Sequence, residues 1–161
     1  MYKKLLYTIK METKNEKTIA ALTHLSALSQ YFIPFGNFIL PIIIWSSKKD
    51  KSEFIDSNGK QVINFQLSLL LYSIVFILIA IPTFATVIFS NMNWNELLNN
   101  HDFFWDKINM AENIGLITLG IVSIVLVVLL KIIEFFLIII GAINASNGEK
   151  YNYPLTINFI K

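Results

Sequence analysis

The chain has 161 residues, of which 55% are apolar and only 15% charged, with a mean hydropathy of +0.58; a soluble domain of this size carries about a quarter charged residues. Thirteen basic against eleven acidic residues leave a net charge of +2, too little to point to nucleic acid as a partner, and all thirteen are lysine, which removes arginine clamps and arginine fingers. With no cysteine, disulfides, thiolate metal sites, a Cys nucleophile and a lipidated Cys anchor are excluded, and the composition is that of a membrane protein.

Residues 1–18 form a cytoplasmic N-terminal segment holding Lys3, Lys4, Lys10, Lys14 and Lys17. Met11 opens Met-Glu-Thr-Lys and is an alternative start. Lys14 and Lys17 remain in either case. The membrane domain follows as one unit, residues 19–161, built on three charge-poor blocks at 19–47, 62–90 and 114–143. Each exceeds the roughly 20 apolar residues that cross a ~30 Å hydrocarbon layer. The first block is not read as a cleaved leader, because no small-x-small site follows its apolar core.

Block 19–47 is broken by Pro34, Gly36 and Pro41, and Pro34-Phe35-Gly36-Asn37 supplies a fixed φ, a permissive glycine and a capping side chain. Lysine counts decide between one kinked crossing and a hairpin, since short cytoplasmic segments are enriched in lysine. The linker 48–61 carries Lys48, Lys49, Lys51 and Lys60, so both flanks of the block look cytoplasmic. A hairpin is favoured, with Gly36 expected to hold a backbone conformation that a side chain would strain. Its second half, Phe38 to Trp45, is only ~12 Å of helix, which makes it re-entrant rather than spanning. Thr23, Ser26 and Gln30 share one stripe of the first fragment. His24 lies in the same fragment, where packing or a hydrogen bond outweighs a proton-transfer or ligand role.

In block 62–90, Gln61, Asn64, Ser68 and Tyr72 fall on one stripe at steps of three and four. Such stripes join helices by hydrogen bonds more often than they line a conduction path. Pro82 predicts a kink that Thr83 or Thr86 accommodates. The following linker, 91–113, has Lys107 beside Glu96, Asp102, Asp106 and Glu112, net −3, and is placed outside. His101 with Asn99, Asn100, Asp102 and Asp106 could take a divalent cation. A solvated loop with Trp94, Phe103, Phe104 and Trp105 at the headgroups is preferred, and no metal site is assigned. In block 114–143, Lys131 and Glu134 are three residues apart and can pair on one helix face. Ionisable groups in a membrane are functional candidates, while the inner-half position lets lysine snorkel. Residues 144–161, with Lys150, Lys161 and Glu149, form a cytoplasmic interfacial tail.

The chain has no Gly-rich phosphate loop, no His-Glu-x-x-His and no Gly-x-Ser-x-Gly elbow. No enzyme activity and no cofactor are therefore expected. The fold expected is an all-α integral membrane protein: a short Pro/Gly-broken re-entrant hairpin plus two long transmembrane helices, with both termini at the cytoplasmic face of the inner membrane.

Several runs carry a resemblance. They are Ala21 to Leu28 (ALTHLSAL), Tyr31 to Asn37 (YFIPFGN), Pro41, Ile44-Trp45, Phe54-Ile55-Asp56, Gly59-Lys60-Gln61, Asn64-Phe65-Gln66, Gly141 to Ala145, Gly148-Glu149 and Tyr151 to Lys161. Together they resemble a bacterial family of small membrane proteins, DUF4870, that is similar to the twenty-kilodalton subunit of the chloroplast inner-envelope import translocon (Tic20-like). The chain departs from that family at Asn152 and Asn158, where arginine is usual. The resemblance implies a helical membrane module and a link to translocation by analogy of fold alone. It marks His24, Pro34, Gly36, Asn37, Asp56, Gly59, Asn64, Gln66, Tyr153 and Pro154 as structural or interaction residues near the inner face. Two functions are carried forward. One is a non-enzymatic subunit or scaffold of a membrane complex, with the lipid bilayer and other membrane proteins as partners. The other is a small homo-oligomeric channel or carrier using the polar stripes and the Lys131/Glu134 pair.

Overall fold

The computed structural model describes residues 13–91 and 110–161, and among these every regular element is helical. Helix α1 spans Lys14–Ser26 and runs into a 3-10 segment, Ala27–Tyr31. Helix α2 spans Gly36–Lys48, and a short 3-10 turn, Lys49–Lys51, leads into α3, Glu53–Asn91. Helix α4 spans Met110–Asn147, and an irregular tail completes the chain. His101, Lys107 and the aromatic residues of the acidic linker lie outside the described residues, as do Lys3, Lys4, Lys10 and Met11.

Helices α1 and α3 start ahead of their apolar blocks, on polar residues. Thr13 accepts the amide of Glu16 at 3.2 Å while the Glu16 carboxylate accepts the amide of Thr13 at 2.7 Å, a capping box that sets the start of α1 five residues before the apolar block. Glu53 and Asp56 occupy the first turn of α3, where carboxylates suit the positive end of the helix dipole. The segment 53–61 is thereby helical although it is polar.

The described chain falls into two compact units. The first comprises, among the described residues, 13–70 and 132–161. Within it α1 lies antiparallel along the end of α4: Lys17 reaches the Asn147 carbonyl, His24 lies over Gly141, and Gln30 meets Glu134. Helix α2 lies antiparallel along the start of α3, with Trp45 bonded to Asp56 and Asn37 to Gln66. The hairpin between them turns tightly. Ser29 O accepts the amides of Phe32 and Ile33 at 3.0 and 2.8 Å, and Phe35, the residue before α2, is left-handed at φ 58°.

The strained residue expected at this turn was Gly36, and here the structure corrects the sequence. Gly36 has no positive φ; Phe35 takes the left-handed conformation. What Gly36 supplies is space, because a Cβ there would stand 2.8 Å from the backbone C and O of Ser29.

The second unit comprises, among the described residues, 71–91 and 110–131. Gly120 lets the Phe84 ring lie against α4, since a methyl there would meet the ring at 2.7 Å. Thr83 donates to the Ile79 and Ala80 carbonyls and Thr86 to that of Pro82. The hydroxyls around Pro82 are thus satisfied by their own helix. A groove of about 490 Å³, whose walls include Ile77, Ile81, Phe84, Phe89 and Ile124, has only apolar side chains.

In the first unit His24, Ser68 and Glu134 are fully buried beside apolar residues such as Phe54, Val62 and Phe65, and in the second Leu78 is 65% exposed and Ile81 62%. So much large apolar surface left outside is unlike a soluble domain. Helices α3 and α4 are both long and apolar enough to cross a membrane, at roughly 58 Å each by the 1.5 Å rise per residue.

Candidate functional site

The polar residues of the first unit converge on the C-terminal tail. At the centre is His24, held from both sides of its ring. Asn58 donates its amide N–H to the Phe54 carbonyl at 2.9 Å, so its Oδ1 faces His24 and accepts from Nε2–H at 2.9 Å. Nδ1 then carries the lone pair, and the Tyr153 hydroxyl donates to it at 2.7 Å. This tautomer follows from the amide orientation.

Tyr153 is also stacked on Phe65, ring centroids 4.1 Å apart and nearly parallel, with Tyr151 edge-on at 4.9 Å. The floor of the site is Gly141. A Cβ there would fall 2.7 Å from His24 Nδ1 and 2.8 Å from the Tyr153 oxygen, inside the hydrogen bond itself.

Beyond Tyr153 the tail is gripped by its backbone. Asn64 donates to the Ile160 carbonyl at 3.0 Å and accepts from the Ile160 amide at 2.8 Å. Ser68 accepts the Ile157 amide at 2.8 Å and donates to the Asn64 carbonyl at 2.7 Å. Half of the stripe marked on block 62–90 is therefore a clamp for the chain's own tail. Leu155, left-handed at φ 59° just after Pro154, bends the tail into this path.

Electrostatics keep the centre neutral. His24 lies outside the two long helices, and burial lowers its pKa to about 4, with the Asn58 hydrogen bond opposing. Burial raises Tyr153 well above the usual tyrosine value, helped by the nearby Tyr151 and Glu134 charges. A neutral imidazole joined to a neutral phenol holds two elements together.

The remaining marked residues form smaller contacts. Asp56 joins Trp45 Nε1 at 2.9 Å and Lys60 at 2.6 Å. Gly59 has no side chain because the Trp45 ring lies directly on it, and Lys49 stands 5.0 Å over the same ring. Asn37 donates to Gln66 Oε1 at 2.7 Å, which ties the hairpin tip to α3. Pro34 and Pro154 are exposed turn residues. Glu134 is fully buried and accepts from Gln30 Nε2 at 2.8 Å, while Lys131 is half-buried. On α1, Thr23 and Ser26 donate to their own backbone, so only Gln30 of that stripe reaches another helix. Asn58, Phe65 and Gly141 were not singled out from the sequence as site residues. A glycine inside an otherwise apolar helix was the available signal for the last of these.

The arrangement contains fixed hydrogen bonds and stacked rings but no activated nucleophile. Among the described residues no three His, Cys, Asp or Glu stand together as a metal site. Against this geometry, a family model for magnetosome magnetite crystal formation proteins (MamF/MmsF) matches residues 15–160. The chain belongs to that family. No curated protein and no solved structure matches it.

MamF/MmsF membership corrects the resemblance read from the motifs. The matching family is neither DUF4870 nor Tic20-like. The reason is physical. Those short runs encode a tight turn, a helix start and a docked tail, and such local geometry does not choose between families of helical membrane proteins. The translocation analogy rested on that resemblance and falls with it.

Proposed function

We propose that this MamF/MmsF chain is a non-enzymatic integral membrane protein that takes part in crystal formation as a subunit or scaffold of a membrane complex. In this reading α3 and α4 cross the bilayer, and α1 and α2 form a re-entrant hairpin. The hairpin base, the tail and both termini face the cytoplasm, the position favoured by the lysines at 14, 17, 48, 49, 51, 150 and 161.

One observation carries the reading: the family match covers residues 15–160, almost the entire chain, whose outer surface is largely apolar. The clamp chemistry supports a scaffold role over a carrier. A conduction path along α3 needs Asn64 and Ser68 facing water, and both are engaged by the tail.

The test is reconstitution of the purified chain in phospholipid vesicles. An alkaline carbonate wash should leave it in the membrane. Mixed ferrous and ferric iron precipitated with these vesicles should give a crystal size distribution, measured by electron microscopy, that differs from that with empty vesicles. Stripping by carbonate would refute the membrane assignment, and identical distributions would refute the role in crystal formation.

A further inference from the structure

The hairpin has a defined depth. Hydrogen bonds set its register: Trp45 pairs with Asp56 and Asn37 with Gln66 on α3, while Lys17 pairs with Asn147 and Gln30 with Glu134 on α4. From Lys48 to Gly36, α2 is 13 residues long, roughly 20 Å of helix. The distance from the headgroup layer to the bilayer midplane is of the same size, since the hydrocarbon core is about 30 Å thick and the whole bilayer about 40 to 45 Å. The hairpin begins among lysines on both arms, Lys14 and Lys17 on one and Lys48, Lys49 and Lys51 on the other, and carries no Lys, Asp or Glu between residues 18 and 47.

Its outer surface is apolar along its length and at its tip. Leu22, Ile39 and Ile43 are about half exposed, and Phe32 and Phe35 are 87% and 72% exposed. Phe35 does this from a left-handed backbone, a conformation that glycine or asparagine would adopt more cheaply. A large apolar side chain in that position is consistent with a tip selected to sit in hydrocarbon.

We propose that the α1–α2 hairpin fills one leaflet only, the lysine-side leaflet, and thereby draws the protein to membrane that is convex on that side. The inference rests on the membrane assignment above. Two helices of about 10 Å diameter add roughly 160 Å² to the leaflet that contains them and nothing to the other. A leaflet expanded on one side relaxes by bending outward on that side, which makes insertion sensitive to curvature. The ligand is the lipid bilayer itself, recognised by shape.

The experiment reconstitutes the full-length chain, carrying Lys161→Cys as its sole thiol, into small sonicated and large extruded vesicles of one lipid composition. An impermeant maleimide applied before and after lysis reads the fraction of chains with the lysine side outward, the convex leaflet. We expect the outward-to-inward ratio to be higher in small vesicles than in large ones, because insertion into one leaflet is curvature-sensitive. A chain with Phe32→Lys and Phe35→Lys, which places costly charge near the midplane, should remain carbonate-resistant through α3 and α4 yet lose the bias. Phe32→Leu with Phe35→Leu should keep it. Equal ratios in both vesicle sizes with a carbonate-resistant chain overturn this proposal and leave the membrane assignment standing, as does a bias retained by the double-lysine variant. Removal of the unmodified chain by carbonate overturns both.

Discussion

Gly141→Ala is the sharpest probe of the tail-docking site. The added methyl falls 2.7 Å from His24 Nδ1, 2.8 Å from the Tyr153 oxygen and 3.1 Å from His24 Cε1. Neither ring can yield easily. His24 is also fixed by Asn58, and Tyr153 by its stack on Phe65. Parting the two leaves a buried donor and a buried acceptor without partners, about 1–3 kcal/mol. Overpacking adds about 1–3 kcal/mol, and the better helix propensity of alanine returns about 1 kcal/mol. The net cost is about 3 kcal/mol, which for a chain of this length lowers the melting temperature by roughly 6–12 °C. The assay is thermal unfolding in detergent, with Gly115→Ala as the control, because nothing lies within 4 Å of a Cβ at that position. Gly115→Ala should be neutral or slightly stabilising. In a Tyr153→Phe background the hydroxyl clash disappears, so the cost of Gly141→Ala should shrink by about 1–3 kcal/mol of coupling. Equal melting temperatures for Gly141→Ala and Gly115→Ala would refute the close approach on which the site is built.

Four other outcomes follow from the same geometry. Gly36→Val should lower folded yield in detergent more than Gly120→Val, because the first meets the Ser29 backbone and the second the end of the Phe84 ring; equal yields would remove the argument. Single cysteines at Lys17, Lys51 and Lys161 should resist an impermeant maleimide in intact cells while one at Lys107 reacts, and labelling at 51 from outside would replace the hairpin by a single crossing. Because burial holds His24 near pKa 4 against 6.5 when exposed, stability is complete above pH 6.5 and falls by about 3 kcal/mol as pH drops to 4; melting curves from pH 7.5 to 4 check this, and His24→Gln should flatten the dependence. Lys131→Met with Glu134→Leu removes the acceptor that Gln30 uses at 2.8 Å and should lower the melting temperature by an amount that Lys131→Met with Glu134→Gln, which keeps an acceptor there, avoids, while both double variants should complement a deletion strain; a double variant that folds but fails to complement would favour the carrier.

The helical class and both long helices were legible in the sequence because hydrophobic length is a one-dimensional signal. The hairpin's turn was legible for a similar reason, since Pro34 and Gly36 act locally. Helix starts were less so. Residues 14–18 and 53–61 are polar, and their helicity depends on the Thr13 capping box and on acids at the start of α3, which hydropathy does not register. The turn also shows how a correct residue can be chosen for the wrong reason. Gly36 matters through the Ser29 backbone that approaches it, a contact between positions seven apart that no φ preference reveals.

The stripe Gln61, Asn64, Ser68, Tyr72 marks the deeper limit. Periodicity can say that polar groups on an apolar helix must find partners, since each left unsatisfied in hydrocarbon costs several kcal/mol. It cannot say whether the partner is water, another helix or the chain's own end. Here Asn64 answers with both atoms of its amide on one residue of the tail, 96 positions away. The tail in turn inserts Tyr153 where Gly141 leaves room beside His24. Each of these residues is ambiguous alone. A buried histidine suggests proton transfer, a polar stripe a pore, and a tail tyrosine an interfacial anchor. Placed together, His24 and Tyr153 bond each other while Asn64 and Ser68 bond the tail, and the site reads as a lock between the start of α3, the end of α4 and the hairpin arm. A lock of this kind ties three elements together at one end of the protein through the chain's own hydrogen bonds, and this supports the scaffold proposed above over a carrier that opens at its polar centre.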